Sequence, residues 1–158
     1  MKKWVIPLIL IVAALAFMIV SFYMSPLECS DEEGQCYTTR VSDIIDGDTI
    51  KTMEGDSVRF SLVSAPELTD AGGQESKEYL KSICSAGSVV TIDEDDGQLE
   101  GSHGRTIAKV YCNGLNLNGE MVINGYAALD IRFCSDSEFA NESWAKDCQL
   151  ESGNSDQG

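Results

Sequence analysis

The 158-residue chain carries 26 acidic and 11 basic side chains, which give it a formal net charge of −15. This length predicts one domain, since domains commonly contain about 100–150 residues. The negative charge repels polyanions at long range, which excludes a protein that holds them over a broad basic surface. A local cluster of arginines remains compatible with this charge, because phosphate contacts depend on a few side chains.

An uncharged stretch near the N-terminus predicts that the protein is directed to a membrane. Lys2 and Lys3 precede residues 4–24, which are long enough to span a bilayer as a helix of about 20 residues. Two interpretations stay open for residues 1–25, an uncleaved transmembrane anchor and a cleaved signal peptide. Both predict export, so we expect a monomer in the cell membrane with its C-terminal domain outside, or a secreted protein.

The six cysteines agree with export, because an even number of cysteines outside the cytosol indicates disulfides. Zinc sites use short paired spacings such as C-x-x-C, and the sequence contains none. Several connectivities are open to six cysteines, and we predict the sequential one, Cys29–Cys36, Cys84–Cys112 and Cys134–Cys148.

The first half of the chain predicts strands followed by a helix. After an extracytoplasmic linker at residues 26–36, β-branched and aromatic residues predict strands at residues 37–45, 49–53 and 57–63. The Glu-Gly-Asp sequence at residues 54–56 predicts a hairpin turn. Gly72 and Gly73 then precede a helix at residues 74–84, where Tyr79, Leu80 and Ile83 recur at helical spacing.

The second half predicts two further strands, at residues 88–92 and 106–112, with an acidic loop at residues 93–100 that we interpret as solvated. Asn118 is predicted to cap a short helix at residues 119–124. Ser135 and Glu138 have the spacing of a capping box, which predicts the start of a last helix, and residues 149–158 predict a disordered polar tail. The order of elements is typical of an α+β fold, mainly a five-stranded β barrel with packed helices.

Four motifs follow one another along this pattern. They are I-D-G-D-T at residues 45–49, V-R-F-S-L-V-S-A-P-E at residues 58–67, H-G-R at residues 103–105 and L-N-G-E-M-V-I-N-G-Y-A at residues 117–127. Their order and spacing closely resemble the staphylococcal nuclease (thermonuclease) family over about residues 38–145. The resemblance implies that residues 37–148 form an OB-fold domain that hydrolyses phosphodiester bonds of DNA or RNA as an endonuclease, with single strands favoured.

The resemblance also implies roles for individual residues. Arg59 and Arg105 would clamp the phosphate, Glu67 would act as the general base, and Asp48 would bind a metal with Asp46 supporting its loop. These residue types suit the chemistry, because phosphodiester hydrolysis needs positive charge on the phosphate and a base that orients or deprotonates water.

The sequence departs from the family pattern at the metal site. The family has a second metal-binding aspartate followed by a threonine, and Ser64 and Ala65 stand there. We therefore expect a weak or altered Ca²⁺ site, or a different divalent cation, because Ca²⁺ affinity depends on ligand charge. The alternative is a non-catalytic module, with a degraded metal site, that binds nucleic acid or another ligand.

Two positions that the family uses for substrate contact also differ. His103 stands where the family often has a tyrosine, so we consider it as a substrate contact. Ile131 falls near the family's second base-stacking tyrosine, which predicts a weaker grip on bases.

Overall fold

The computed structural model describes residues 36–99 and 104–154. Eight strands and three α-helices are present in these residues: β1 (Cys36–Ile44), β2 (Thr49–Thr52), β3 (Ser57–Phe60), β4 (Val63–Ser64), α1 (Gly73–Ile83), β5 (Val89–Glu94), β6 (Thr106–Cys112), β7 (Leu115–Asn116), α2 (Leu117–Ile123), β8 (Ala128–Leu129) and α3 (Lys146–Asn154). Short 3₁₀ helices cover Asp96–Gln98, Ile131–Phe133 and Glu138–Asn141.

Five strands close into a barrel. The antiparallel order is β3-β2-β1-β5-β6, and a parallel pairing of β3 with β6 joins the two ends. This closure removes the open edges that a five-stranded sheet would otherwise present. The predicted α+β class, a five-stranded barrel with packed helices, is confirmed in its OB-like form.

Alternation of side chains along the strands builds the core. Val41, Ile50, Val58, Val90 and Val110 are fully buried inside the barrel, one from each of its strands. Residues on either side of each of these point to the opposite face of the sheet. Arg59 is therefore placed on the outer face by the burial of its neighbours Val58 and Phe60.

The helices close the barrel at one side and are fastened by disulfides. Leu80 of α1 and Met121 of α2 are fully buried, and the rings of Tyr79 and Tyr126 stack 3.9 Å apart. Disulfides join Cys84 to Cys112 and Cys134 to Cys148, as predicted. Cys36 is also disulfide-bonded, whereas its predicted partner Cys29 lies outside the described residues.

The cap of α2 corrects one prediction. Asn116, not Asn118, caps this helix, since its side chain accepts a hydrogen bond from the Gly119 N–H. Asn118 is fully buried, donating to the carbonyls of Ser61 and Ala108 and accepting from the Val110 N–H. Asn118 therefore connects α2 to the parallel pair β3–β6. Its position relative to the helix in the sequence does not predict this contact.

The acidic loop is less solvated than predicted. Asp95 is fully buried and accepts hydrogen bonds from Ser61, from Gln98 and from the backbone N–H groups of Gly97 and Glu138. A buried carboxylate is stabilised only when donors surround it, and here it joins the loop to the C-terminal segment.

The C-terminal segment also differs from the prediction. A 3₁₀ helix capped by Ser137 forms at Glu138–Asn141 in place of a longer helix, and α3 continues to Asn154, into the segment predicted as a disordered tail. Among residues 36–99 and 104–154, no helix is long and apolar enough to cross a membrane. The predicted anchor at residues 1–25 lies outside the described residues.

We expect Asn118→Ala to lower the free energy of unfolding by about 3 kcal/mol, because it leaves buried backbone groups without their partner. Urea unfolding followed by circular dichroism measures the loss. Asn124→Ala is the matched control, since Asn124 is exposed and bonds only to Glu120 at the surface of α2. Equal losses in the two variants would contradict the role of Asn118.

Candidate active site

An ion pair between Asp48 and Arg59 lies at the centre of the predicted site. The Nη1 of Arg59 donates to Oδ1 of Asp48 over 2.5 Å. The pair spans the β2–β3 hairpin, because Thr49 is directly opposite Arg59 in the antiparallel register. The sequence thus brings these two residues together through one tight turn.

The loop before β2 is shaped to present Asp48. Oδ1 of Asp46 accepts a hydrogen bond from the Asp48 N–H at 3.0 Å. Gly47 lies so close to α1 that an added Cβ would meet the Ser76 hydroxyl at 1.8 Å. Only glycine fits there without displacing the loop from the helix.

Three donors surround the Asp48 carboxylate, which is 3% exposed. Besides Arg59, the Thr49 hydroxyl donates to Oδ1 at 2.9 Å and the Ala65 N–H donates to Oδ2 at 2.8 Å. Burial raises the pKa of Asp48 to about 6, although the charge of Arg59 and the Ala65 N–H act to lower it. The carboxyl therefore takes up a proton nearer neutrality than an exposed aspartate does.

Arg59 links this carboxylate to an open cavity. Its Nη2 donates to the Val63 carbonyl at 3.1 Å, which the chain reaches through Leu62, a residue in the left-handed conformation with φ of 58°. The side chain of Arg59 remains 24% exposed. A strained turn thus places Arg59 between a buried acid and solvent.

Arg105 lies on the same face of the barrel as Arg59. The parallel register pairs Arg59 with Ile107, and Arg105, two residues before Ile107, points to the same side by strand alternation. Arg105 is half-buried. Strand alternation therefore predicts that Arg59 of β3 and Arg105, the residue before β6, share one outer face.

Glu67 is exposed on the turn that follows β4. Its carbonyl accepts a hydrogen bond from the Asp70 N–H at 2.8 Å, and an added Cβ on Gly73 would meet that carbonyl at 2.0 Å. The turn is therefore packed on the first residue of α1. The carboxylate of Glu67 lies in solvent. Glu67 follows Ser64 by three residues and Ala65 by two, and the Ala65 N–H donates to Asp48.

A cavity of about 550 Å³ adjoins Arg59 on this outer face. Its walls include Ile107, Leu99, Asp130 and Phe133, of which sequence analysis identified none as functional. Phe133 supplies an aromatic ring two residues after Ile131, the position at which the sequence predicted that stacking was lost. His103, the other predicted contact, lies outside the described residues.

The residues predicted to hold a metal do not form a complete Ca²⁺ site. Ser64 lies opposite Ala128 in the β4–β8 pair. Asp48 is the one residue with a carboxylate among Asp48, Ser64 and Ala65. Among residues 36–99 and 104–154, no three His, Cys, Asp or Glu side chains converge in a group that fits a metal ion. Ca²⁺ takes about six to eight oxygen ligands, and Arg59 already neutralises the single carboxylate.

We expect Ser64→Asp to strengthen Ca²⁺ binding about tenfold or more, because it places a second carboxylate next to Ala65 and Asp48. Calorimetric titration of the protein with Ca²⁺ alone measures this directly, without any substrate. Ser82→Asp adds the same charge to an exposed position of α1. A gain of the same size in both variants would show that the added charge attracts Ca²⁺ without forming a site.

Comparison of its sequence with known proteins relates this chain to a family. The staphylococcal nuclease homologue family matches residues 57–148, more than half of the chain. Endonuclease YhcR of Bacillus subtilis is 33% identical over 111 residues, which cover 60% of this chain and 9% of that protein. An uncharacterised endonuclease of Haemophilus influenzae is 33% identical over 103 residues, covering 63% of this chain and 54% of its own length.

An uncharacterised protein of Bacillus anthracis is 33% identical over 99 residues, covering 57% of this chain and 46% of its own length. The chain thus spans about half or less of each of these relatives. The matched residues include the motif that carries Arg59 and Glu67 and strands β3 to β8, whereas Asp48 lies before residue 57. The protein belongs to the staphylococcal nuclease homologue family.

Proposed function

We propose that this protein is a nuclease that hydrolyses phosphodiester bonds of nucleic acid, acting as an endonuclease. The observation that carries the proposal is the placement of Arg59, bound to Asp48, beside a cavity of about 550 Å³, and strand alternation from the β3–β6 register puts Arg105 on the same outer face. In a chain of net charge −15 with four arginines, two arginines on neighbouring strands form a local anion site. Relatives that are named endonucleases support the same activity.

The side chains suggest how the phosphate is held. Nη1 of Arg59 binds Asp48 and Nη2 binds the Val63 carbonyl, so the guanidinium is fixed before substrate arrives. A fixed guanidinium stabilises the charge that develops on phosphate oxygens without reorganising during the reaction. Arg105 contributes a second positive charge from β6, and bidentate contacts of arginine suit phosphate oxygens.

Glu67 is the residue proposed to act on water. Glu67 is exposed, so its carboxylate is open to a water molecule. A base within hydrogen-bond reach of the attacking water typically contributes a hundredfold or more, roughly, to the rate. The packing of its turn against Gly73 fixes the backbone from which this side chain extends.

The remaining features of the proposal concern place and cation. Residues 1–25 are proposed to anchor the protein in the membrane or to direct its secretion, with a monomeric nuclease domain outside the cell. We propose that a divalent cation binds beside Asp48 together with the substrate. The substrate would supply further oxygen ligands, because Asp48 is the one carboxylate among Asp48, Ser64 and Ala65.

A second candidate is a non-catalytic module that binds nucleic acid. It is favoured by the same ion pair, since Asp48 is neutralised by Arg59 and Ser64 brings no charge. This module would use the two arginines for binding and would leave Glu67 without a role. The two candidates therefore differ in what Glu67 contributes.

We expect Arg59→Ala and Glu67→Gln each to lower the cleavage rate about 100-fold or more. The measurement is the degradation of single-stranded DNA and RNA by purified protein, with Ca²⁺, with other divalent cations and with a chelator. Glu78→Gln is the control, because Glu78 is an exposed residue of α1 that pairs with Lys81.

The outcomes separate the two candidates. Binding of both nucleic acids by the wild-type protein without cleavage under any cation would support the binding module. Cleavage that Glu67→Gln leaves unchanged would retain the nuclease but remove Glu67 as its base. Loss of cleavage in Glu78→Gln as well would point to general damage to the fold.

A further inference from the structure

A third arginine, Arg132, contacts two residues that line the cavity. Nε and Nη2 of Arg132 donate to the two carboxylate oxygens of Asp130, at 2.8 and 2.7 Å. Its guanidinium carbon lies 5.5 Å from the centre of the Phe133 ring. Asp130 and Phe133 both line the cavity together with Arg59, so the two residues that contact Arg132 belong to the cavity wall.

The segment that carries Arg132 is anchored at both ends. The Asp130 N–H donates to the Leu62 carbonyl at 2.9 Å, which connects it to the turn after Arg59. Directly after Phe133, Cys134 is bonded to Cys148. These two anchors fix the position of the 3₁₀ turn Ile131–Phe133, and an arginine on a fixed segment loses less freedom when it binds a ligand.

The guanidinium of Arg132 retains donors for a ligand. Of the five N–H groups of an arginine, Asp130 takes the one on Nε and one on Nη2. The side chain is 73% exposed, so the remaining edge faces solvent. Asp130 orients this edge of the guanidinium. Arg132 can therefore bind an anion while it keeps its two hydrogen bonds to Asp130.

The three arginines of this region account for most of the arginine in the chain. Arg59, Arg105 and Arg132 come from β3, the start of β6 and the 3₁₀ turn, whereas Arg40 donates to the Gly87 carbonyl elsewhere. The chain is otherwise acidic, with a net charge of −15. A polyanion is therefore attracted to this face by a few defined contacts and not by the protein as a whole.

We propose that Arg132, oriented by Asp130 above the ring of Phe133, binds a phosphate of single-stranded nucleic acid next to the one held by Arg59. Arg132 acts in substrate binding and takes no part in bond cleavage. This inference rests on the proposed nuclease function, whose site it extends by one nucleotide.

The test measures binding and cleavage separately for the full-length chain. Fluorescence anisotropy with a labelled single-stranded oligonucleotide, in the Glu67→Gln background and at several salt concentrations, gives Kd without turnover. Arg132→Ala is expected to raise Kd about three- to tenfold and to reduce the slope of log Kd against log salt by about 0.7, the contribution of one phosphate contact on a single strand. In steady-state cleavage it is expected to raise KM while kcat stays within about twofold.

Two variants serve as matched comparisons. Arg132→Lys keeps the charge and is expected to retain the salt slope, while Arg40→Ala removes an exposed arginine far along β1 and is expected to change neither Kd nor slope. Because Arg132 is exposed, its removal is expected to leave the thermal unfolding temperature within a few degrees, roughly, of the wild type. That measurement separates lost binding from lost structure.

Different experimental results would contradict the role of Arg132 and the nuclease function. An unchanged Kd and salt slope in Arg132→Ala, with wild-type cleavage intact, would overturn the role of Arg132 and leave the nuclease standing. Binding that depends on Arg132 in a protein that never cleaves would uphold the contact and remove the enzyme. A fall in kcat without a change in Kd would also count against a binding role.

Discussion

The contact between the Asp48 carboxylate and the Arg59 guanidinium is the interaction on which the site depends. It joins the loop before β2 to β3, and the Ala65 N–H on the same carboxylate brings in the turn after β4. A buried carboxylate is costly unless donors surround it, so these three segments are held together by one shared acid. Arg59 can face a substrate in a defined orientation only because Asp48 fixes its other side.

The same contact explains why the metal site differs from the family pattern. Ser64 stands where the family has an aspartate. The positive charge next to Asp48 comes from Arg59. In the proposed function, Arg59 and Arg105 would bind the anion, while Asp48 is the one carboxylate among the residues proposed to hold a cation, Asp48, Ser64 and Ala65. Electrostatic attraction of a phosphate then rests on arginine, which remains charged over the whole physiological range of pH.

Contacts between residues that are close together in the chain were the ones that the sequence predicted. The I-D-G-D-T loop and Arg59 belong to one hairpin, so their proximity follows from strand register alone. The barrel and two disulfides were predicted for a similar reason, since hydrophobic alternation and cysteine count are properties of short stretches. Asn118 was misassigned as a cap because the same asparagine pattern serves a helix end and a buried bridge between strands.

The sequence by itself determined the five-stranded barrel and family of this protein and placed Asp48 beside Arg59, because periodicity, turns and motif spacing act over a few residues. Only the tertiary structure decided that Asp130, Arg132 and Phe133 stand at the cavity next to Arg59, about seventy residues earlier in the chain. It also decided that Asp95 is buried within a loop of acids. Such placements depend on closure of the barrel and packing of the C-terminal segment, and packing brings together residues whose separation in sequence carries no signal.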